Sequence, residues 1–215
     1  MVTNGQAPEE GKDDLRERVL NASVELIEEA GLGALSMREV ARRAGVSHQA
    51  PYHHFADREA ILAAVAERGF EMLALRLDQA RQQSSGATHA IELAGIAYIR
   101  FACEHSAYFR IMFRPELVTL SDHHELDCCA DKAFAHVPAM VLDCMKAGLP
   151  EDMGLETMVA LLWSLVHGFA CLLIDGPLLE KLPSFGQDRE KAMRDLTSTV
   201  RRMLDATIAS THTGR

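Results

Sequence analysis

The chain has 215 residues, enough for one domain or two small ones, and 48% of them are hydrophobic, which is enough to build a core. Its 22 basic and 31 acidic residues give a formal net charge of −9, which would exclude binding to a polyanion if the charge were evenly spread. The N-terminus lacks the layout of a signal peptide, and we expect no apolar run long enough to span a membrane. Five cysteines without framework spacing predict reduced thiols and a cytoplasmic protein.

Polar residues 1–12 predict a flexible arm. Apolar residues at helical spacing then predict a first helix from about Asp13 to Ala30, with Gly31 just beyond its end. This helix is expected to pack against the next two and to complete a three-helix head over residues 13–56. The expected core of the head contains Leu20, Ile27, Leu35, Val40, Val46 and Phe55.

Two short helices joined by a tight turn are predicted between Ser36 and Phe55. Ser36 and Glu39 have the spacing of a capping box, in which each side chain accepts a hydrogen bond from the backbone N–H of the other residue. Gly45 can take the left-handed conformation that ends a helix, and Ser47 can cap the helix that follows. This order is the helix-turn-helix plan, whose second helix enters the DNA major groove.

The second helix of this pair is predicted to be short and to present polar side chains to solvent. Pro51 falls in its first turn, where a missing N–H costs little. The segment from Ser36 to Arg58 carries a net charge of +2, so the rest of the chain carries −11. This asymmetry favours a DNA-reading head on an acidic body over an ordinary pair of helices. The groups expected to face solvent, all able to bond base edges or phosphates, are His48, Gln49, Tyr52 and His53.

These residues resemble the tetracycline-repressor (TetR) family of one-component transcriptional regulators. The matching positions are Ser36, Val40-Ala41, Ala44-Gly45-Val46-Ser47, Tyr52, His54-Phe55, Arg58-Glu59 and Leu62. The resemblance implies phosphate contacts from Ser36, Ser47, Tyr52 and Arg58, and base-facing positions at His48, Gln49, Ala50 and His53. To this DNA-binding surface we add Arg38 and Arg42, from the solvent side of the first helix of the pair. Arg58 stands where the family commonly has Lys, and the run from His48 to Pro51 is unusual, so the operator sequence does not follow from relatives.

The rest of the chain is predicted to be helical. Asp57 caps a linking helix over residues 57–83, and a polar stretch from Gln82 to Gly86 marks a boundary. A domain for effector binding and dimerisation is expected over residues 87–210, in which Pro138 should kink or split the third helix. The predicted helices of this domain are 88–105, 106–114, 121–147, 152–175 and 188–210. No segment reads as a strand, so the predicted fold class is all-α.

The last two predicted helices indicate a homodimer. Segment 152–175 is apolar nearly all round, and segment 188–210 carries an apolar seam, so both need covering on more than one side. Meeting their symmetry mates, they would form a four-helix interface, although a central helix in a monomer has a similar pattern. A dimer would place two reading helices about one DNA turn apart, which fits a palindromic operator.

A W-x-x-x-H-G element at Trp163, His167 and Gly168 resembles the C-terminal domain of one TetR subgroup. Trp163 and His167 share a helical face and could line a ligand pocket, and Gly168 would admit a close neighbouring helix. A histidine satisfied within the core is the alternative for His167. We also assign Phe101, Met140 and Cys144 to the pocket. The expected effector is a small apolar molecule that releases a repressor from its operator.

Two other functions stay open at this point. A metal- or thiol-responsive regulator could use the soft ligands between residues 123 and 144, where His124 and Cys128 share one helical face and Met140 and Cys144 another. The two pairs do not share a face, which disfavours one metal centre. An enzyme is disfavoured because no nucleophile, base and orienting acid occur together, so we expect no catalytic residue, metal or cofactor.

Overall fold

The chain folds as an all-helical protein in a computed structural model that describes residues 10–185 and 188–213. These residues form nine α-helices and five short 3₁₀ helices, with no strand among them. The predicted arm over 1–12 lies outside the described residues for 1–9, and residues 10–12 belong to the first helix. The α-helices are α1 (Glu10–Ala30), α2 (Met37–Arg43), α3 (Arg58–Gln82), α4 (Ala87–Glu104), α5 (Ser106–Met112), α6 (His124–Lys146), α7 (Leu155–Ile174), α8 (Pro177–Lys181) and α9 (Arg189–Thr213).

Most helix ends fall where the sequence predicts them. Asp57 caps α3, since its Oδ1 accepts from the Ala60 N–H at 2.9 Å, and the predicted boundary at residues 82–86 is the loop between α3 and α4. Of the two effects expected of Pro138, a split is wrong, because α6 continues through it to Lys146. The sequence pattern also does not predict the short helix α8.

Helix α3 packs against both ends of the molecule. It contacts α1 in the head and α4, α5 and α6 in the body. Gly69 lets α5 approach closely, because a Cβ at that position would lie 2.5 Å from the Sδ atom of Met112. The side chains that α3 buries extend from Ile61 to Ala80, so one continuous core runs from the head into the body.

The head has the core that its sequence pattern predicts, with one exception. Leu20, Ile27, Leu35, Val40 and Phe55 are all buried. Val46, which follows Gly45 in the turn, is only half-buried. In the body, α4 lies between α3 on one side and α7 and α9 on the other.

Helix α7 corrects the expectation that no segment is apolar enough to span a membrane. Within its 20 residues, Leu155–Ile174, an 18-residue stretch has a mean hydropathy of 2.0, and 33% of that stretch is buried within the chain. Core helices of soluble proteins pass the same test of length and composition. Leu161 and Leu172 on this helix are 55% and 48% exposed, so α7 carries apolar surface that its own chain does not cover.

We predict that Gly45→Ala lowers the free energy of unfolding by about 1 kcal/mol, because Gly45 has φ +67°, a left-handed conformation that a side chain disfavours. Chemical denaturation followed by circular dichroism measures the change. Gly33→Ala is the matched control, since Gly33 has no positive φ and no neighbouring atom within 4 Å of an added Cβ. Equal stability of the two variants would contradict the prediction.

Candidate nucleic-acid interface and cavity

The start of α2 is capped by Ser36, as predicted, but only half of the capping box forms. Ser36 Oγ accepts from the Glu39 N–H at 3.3 Å. The Glu39 carboxylate lies against Arg42, whose Nε donates to it at 3.0 Å. This ion pair lowers the pKa of Glu39 through the hydrogen bond to Arg42. Glu39 therefore partly neutralises a cation that the sequence assigns to DNA.

The turn after α2 is closed by the backbone. The Val46 N–H donates to the Ala41 carbonyl at 3.0 Å and the Gly45 N–H to the Arg42 carbonyl at 3.3 Å, which together form a Schellman motif. Arg18 of α1 adds a bond from its Nη2 to the Ala44 carbonyl at 2.7 Å. Sequence reasoning missed this bond, which fixes the turn against α1.

The segment Ser47–Phe55, here called the recognition segment, is not the capped α-helix that the sequence predicts. Its helical part is a four-residue 3₁₀ helix, Ala50–His53, with no side-chain cap at its start. The Ala50 N–H donates to the Ser47 carbonyl and the Tyr52 N–H to the Gln49 carbonyl, both over three residues. Pro51 explains the change, because it has no N–H with which to continue an α-helical pattern.

The polar side chains of the recognition segment face solvent. His48, Gln49, Tyr52 and His53 are exposed, Ala50 is half-buried and Pro51 is buried. The rings of His48 and Tyr52 stack, with centroids 6.1 Å apart and an angle of 26° between their planes. This arrangement gives the head an outward, aromatic and amide-bearing surface with the hydrogen-bonding groups needed to contact bases and phosphates.

The three arginines of α2 differ in their exposure and in their ion-pair partners. Arg43 binds Glu25 and Glu29 of α1, and its hydrogen bond to Glu29 raises its pKa. Arg42 is paired with Glu39 but stays exposed on the outside of α2. Arg38 is exposed near the start of the same helix. Arg38 is therefore the α2 arginine best placed to meet a phosphate without first leaving a hydrogen-bonded carboxylate.

Arg58, a predicted phosphate contact, is half-buried. Its Nε donates to the Leu35 carbonyl at 3.0 Å and its Nη2 to the Leu32 carbonyl at 2.9 Å. The guanidinium thereby joins the start of α3 to the loop between α1 and α2. Because Arg58 holds the head together, its substitution would disturb the interface even if it touched no phosphate.

The body contains a cavity of about 690 Å³ between α3, α5, α6 and α7. A smaller cavity of about 50 Å³ adjoins it and shares Leu77, Tyr98, Val137 and Trp163 with it. The larger volume lies within the range of about 300–1,000 Å³ that small-molecule sites occupy. Most of its wall is apolar, and five aromatic side chains contribute to it: Phe70, Tyr98, Phe113, Phe134 and Trp163.

A short chain of hydrogen bonds crosses one wall of this cavity. The Tyr98 hydroxyl lies 2.8 Å from His167 Nδ1, and Trp163 Nε1 donates to the same hydroxyl at 3.4 Å. Burial lowers the pKa of His167 and raises that of Tyr98, which favours a hydrogen bond between a neutral imidazole and a neutral phenol. His167 is thus both a satisfied histidine and part of the cavity wall.

The predicted pocket residues divide between lining and core. Trp163 and His167 line the larger cavity, and Met140 lines the smaller one. Phe101 and Cys144 line neither of these two cavities, and both are buried in the core. No atom of the described chain lies within 4 Å of a Cβ added at Gly168, so no helix of the same protomer packs closely against it.

The cysteine and histidine residues of α6 do not form one centre. Cys128 Sγ lies 3.8 Å from the His124 ring on the outside of α6, whereas Met140 and Cys144 are in the core. Burial raises the pKa of Cys144 to about 11, which disfavours the thiolate that metal binding or oxidation requires. The structure does not support the metal- or thiol-responsive alternative.

One group of possible ligands does meet between α3 and α6. Oxygen atoms of Glu67 and Glu71 and the sulfur of Cys129 lie within 4.8 Å of one another. Burial raises the pKa of Cys129, and its thiol faces Glu71 Oε1 at 3.9 Å as a weak donor. The three side chains thus form a small polar cluster between α3 and α6, in which the Cys129 thiol donates weakly to Glu71.

Comparison with known proteins covers both parts of the chain. Residues 19–65 match the family model of bacterial regulatory proteins of the tetR family, and residues 91–206 match the tetracyclin repressor-like C-terminal domain. The HTH-type transcriptional activator FasR of Mycolicibacterium smegmatis is 30% identical over 108 residues, which is 50% of this chain and 49% of FasR. The match thus spans about half the length of that curated relative.

Solved structures extend the similarity over most of the fold. A protein of unknown function from Rhodococcus sp. RHA1 is 28% identical with a TM-score of 0.72, covering 87% of this chain and 94% of that one. The regulator FadR from Bacillus subtilis, solved in complex with stearoyl-CoA, is 13% identical with a TM-score of 0.69 over 89% of this chain and 98% of that chain. At that identity the FadR likeness concerns the fold alone.

We predict that Arg38→Ala weakens binding to every duplex sequence and reduces the slope of log affinity against log salt concentration by about 1, because one phosphate contact is lost. Gln49→Ala should instead alter the preference among bases at one position of each half-site. The difference in binding free energy between the right and the wrong base there should change by about 1–3 kcal/mol. Fluorescence anisotropy with labelled duplexes at several salt concentrations measures both effects. Identical behaviour of the two variants would refute this division of roles.

Proposed function

The chain belongs to the TetR family of bacterial regulatory proteins, and from that membership we propose that it is a homodimeric repressor that a small effector releases from a palindromic operator. The observation that carries the proposal is that the exposed recognition segment and the internal cavity share one helix. Helix α3 begins beside the recognition segment, and its residues Phe70, Leu73 and Leu77 line the cavity. DNA contact and ligand contact are therefore joined by a single rigid element.

The proposed division of the chain follows this arrangement. Residues 13–56 form the DNA-binding head, residues 57–83 form the linking helix, and residues 87–210 form the effector-binding and dimerisation part. Ser36, Ser47, Tyr52 and Arg38 are the proposed phosphate contacts, and Arg42 lies beside them. The base-facing positions are His48, Gln49, Ala50 and His53. Arg58 is a further proposed phosphate contact, and it also orients the start of α3 through its two carbonyl bonds.

The proposed dimer uses the outer faces of α7 and α9. Leu161 and Leu172 of α7 are about half exposed, and Met203 of α9 is 66% exposed. Gly168 lies on α7 with open space around it in one protomer, which leaves room for a partner helix. A two-fold pairing of these faces buries the apolar surface of α7 and makes a membrane location unnecessary. We accordingly assign the protein to the cytoplasm, where it acts without catalysing a reaction.

The proposed switch is mechanical. A ligand in the cavity pushes α3 relative to α7, and the Arg58 bonds to the Leu32 and Leu35 carbonyls transmit that motion to the loop before α2. The two heads then no longer fit successive turns of one face of the duplex. The ligand lowers operator affinity only to the extent that it binds this second arrangement more tightly.

Activation of transcription is a second candidate, because the half-length relative FasR bears the name of an activator. The same dimer could act in either sense, depending on whether its operator overlaps the promoter or lies upstream of it. A reporter gene in a strain with and without the protein separates the two senses. Higher expression in its absence supports repression, and lower expression supports activation.

We predict that the purified protein shifts the DNA upstream of its own coding region and protects two half-sites roughly 10 base pairs apart. A gel shift with excess unrelated duplex, followed by footprinting, measures this. Matched DNA with one half-site scrambled should bind far more weakly, since both heads must engage. If a genome-wide pull-down recovers no specific DNA fragment, the proposed function is refuted.

We predict that Leu161→Glu weakens the dimer at least about tenfold, because a carboxylate would be buried in the interface without a partner. Sedimentation velocity measures the dimer dissociation constant, and circular dichroism verifies that the helices remain. Leu75→Glu is the control, since Leu75 on α3 is also exposed, at 59%, but lies outside α7 and α9. A dimer unaffected by Leu161→Glu would place the interface elsewhere.

A further inference from the structure

We propose that the larger cavity selects an apolar molecule that carries a positive charge, an inference that rests on the proposed role of the cavity as the effector site. The charge pattern of the wall is the starting point. Among the described residues that line the cavity, the only charged side chains are two carboxylates, Asp127 and Asp131, and none is a lysine or arginine.

The two carboxylates are placed as a pair. Asp127 and Asp131 lie one turn apart on the same face of α6, where like charges destabilise a helix slightly. Asp127 is half-buried and Asp131 is exposed, which places the pair between the cavity and solvent. Neither makes an ion pair within the part of the chain that the structure describes. Two carboxylates without an ion-pair partner among the described residues therefore lie together on the cavity wall.

Aromatic faces supply the second half of a cation site. Phe113 and Trp163 have ring centroids 6.2 Å apart, and Phe134 meets Trp163 edge to face at 5.5 Å. Aromatic rings attract alkylammonium groups through the negative potential of their faces, most strongly where water is excluded. Walls of this kind beside two carboxylates favour an ammonium or amidinium head with an apolar tail.

An anionic head finds no partner on these walls. Burial lowers the pKa of His167, which disfavours its cationic form, and its Nδ1 is already hydrogen-bonded to the Tyr98 hydroxyl. Arg110 and Arg114 line a separate cleft of about 100 Å³ behind Phe113 and His167, and Arg110 there is paired with Asp175. A carboxylate or phosphate in the larger cavity would therefore lie near Asp127 and Asp131, with no lysine or arginine on the described wall to balance the charge.

The chain provides its own reporter for the test. It contains one tryptophan, Trp163, which lines the cavity, so a bound ligand alters the whole tryptophan emission. Three probes with the same ten-carbon chain are compared: decyltrimethylammonium, decanol and decanoate. The two ionic probes are titrated below their critical micelle concentrations, and decanol is titrated below its solubility limit. We expect decyltrimethylammonium to bind at least about tenfold more tightly than decanoate, with decanol between them.

Two double variants separate the cavity carboxylates from the net charge of the protein. Asp127→Asn with Asp131→Asn keeps the shape of the wall and should remove the preference for the cation while leaving decanol binding unchanged. Glu151→Gln with Asp152→Asn removes the same charge from an exposed 3₁₀ helix outside the cavity and should retain the preference. Equal loss in both variants would overturn the inference, as would tighter binding of decanoate in the wild type.

A parallel operator gel shift distinguishes this inference from the function on which it rests. A protein that binds its operator but shows no preference for the cation retains the proposed function and loses the proposed ligand class. A protein that prefers the cation but shifts no DNA loses the proposed function. Release of the operator by decyltrimethylammonium, and not by decanoate, supports both.

Discussion

The structure depends on the burial of α3 at both of its ends. Near its start, Ile61, Leu62 and Val65 are buried in the core shared with the head, and further along, Leu73 and Leu77 are buried in the body. Burying five such side chains stabilises the fold by roughly 1.5–3 kcal/mol each before entropy is counted. Neither half of the molecule can shift along α3 without opening that core. A displacement at the cavity must therefore move the head as a unit.

The partners of the head arginines, and not only their number, determine how much positive charge faces the DNA. The head carries the arginines that the sequence predicts, but three of them have partners within the chain. Arg43 is bound to α1, Arg58 to backbone carbonyls, and Arg42 to Glu39. Glu25 and Glu29, which pair with Arg43, lie outside the segment from Ser36 to Arg58, so the outward field of the head is weaker than the charge of +2 for that segment suggests. Affinity for DNA then depends more on hydrogen bonds from the recognition segment, which favours sequence selection over general attraction to the polyanion.

The parts of the fold that were predictable from sequence are those set by local chemistry. Ser36, Gly45 and Asp57 mark helix ends because caps and left-handed turns depend on residues a few positions apart. The hydrogen bonds between Arg18 and Ala44 and between Tyr98 and His167 join residues that are distant in the sequence, so no local pattern predicts them. Pro51 is an intermediate case, in which the local pattern predicts a helix but not its type. A proline in the first turn is compatible with an α-helix, but the segment forms a 3₁₀ helix, and the missing proline N–H accounts for it.

The two faces of α7 connect the dimer to the cavity. One face carries Trp163 and His167 into the cavity, and the other carries Leu161, Gly168 and Leu172 outward. If the outward face lies on the two-fold axis, α7 is the fixed reference of the assembly, and α3 is the element that moves against it. The ligand then fills the space between a stationary helix and a moving one. Small displacements at the cavity grow with distance along the 25 residues of α3, so they are largest where the head must fit the groove.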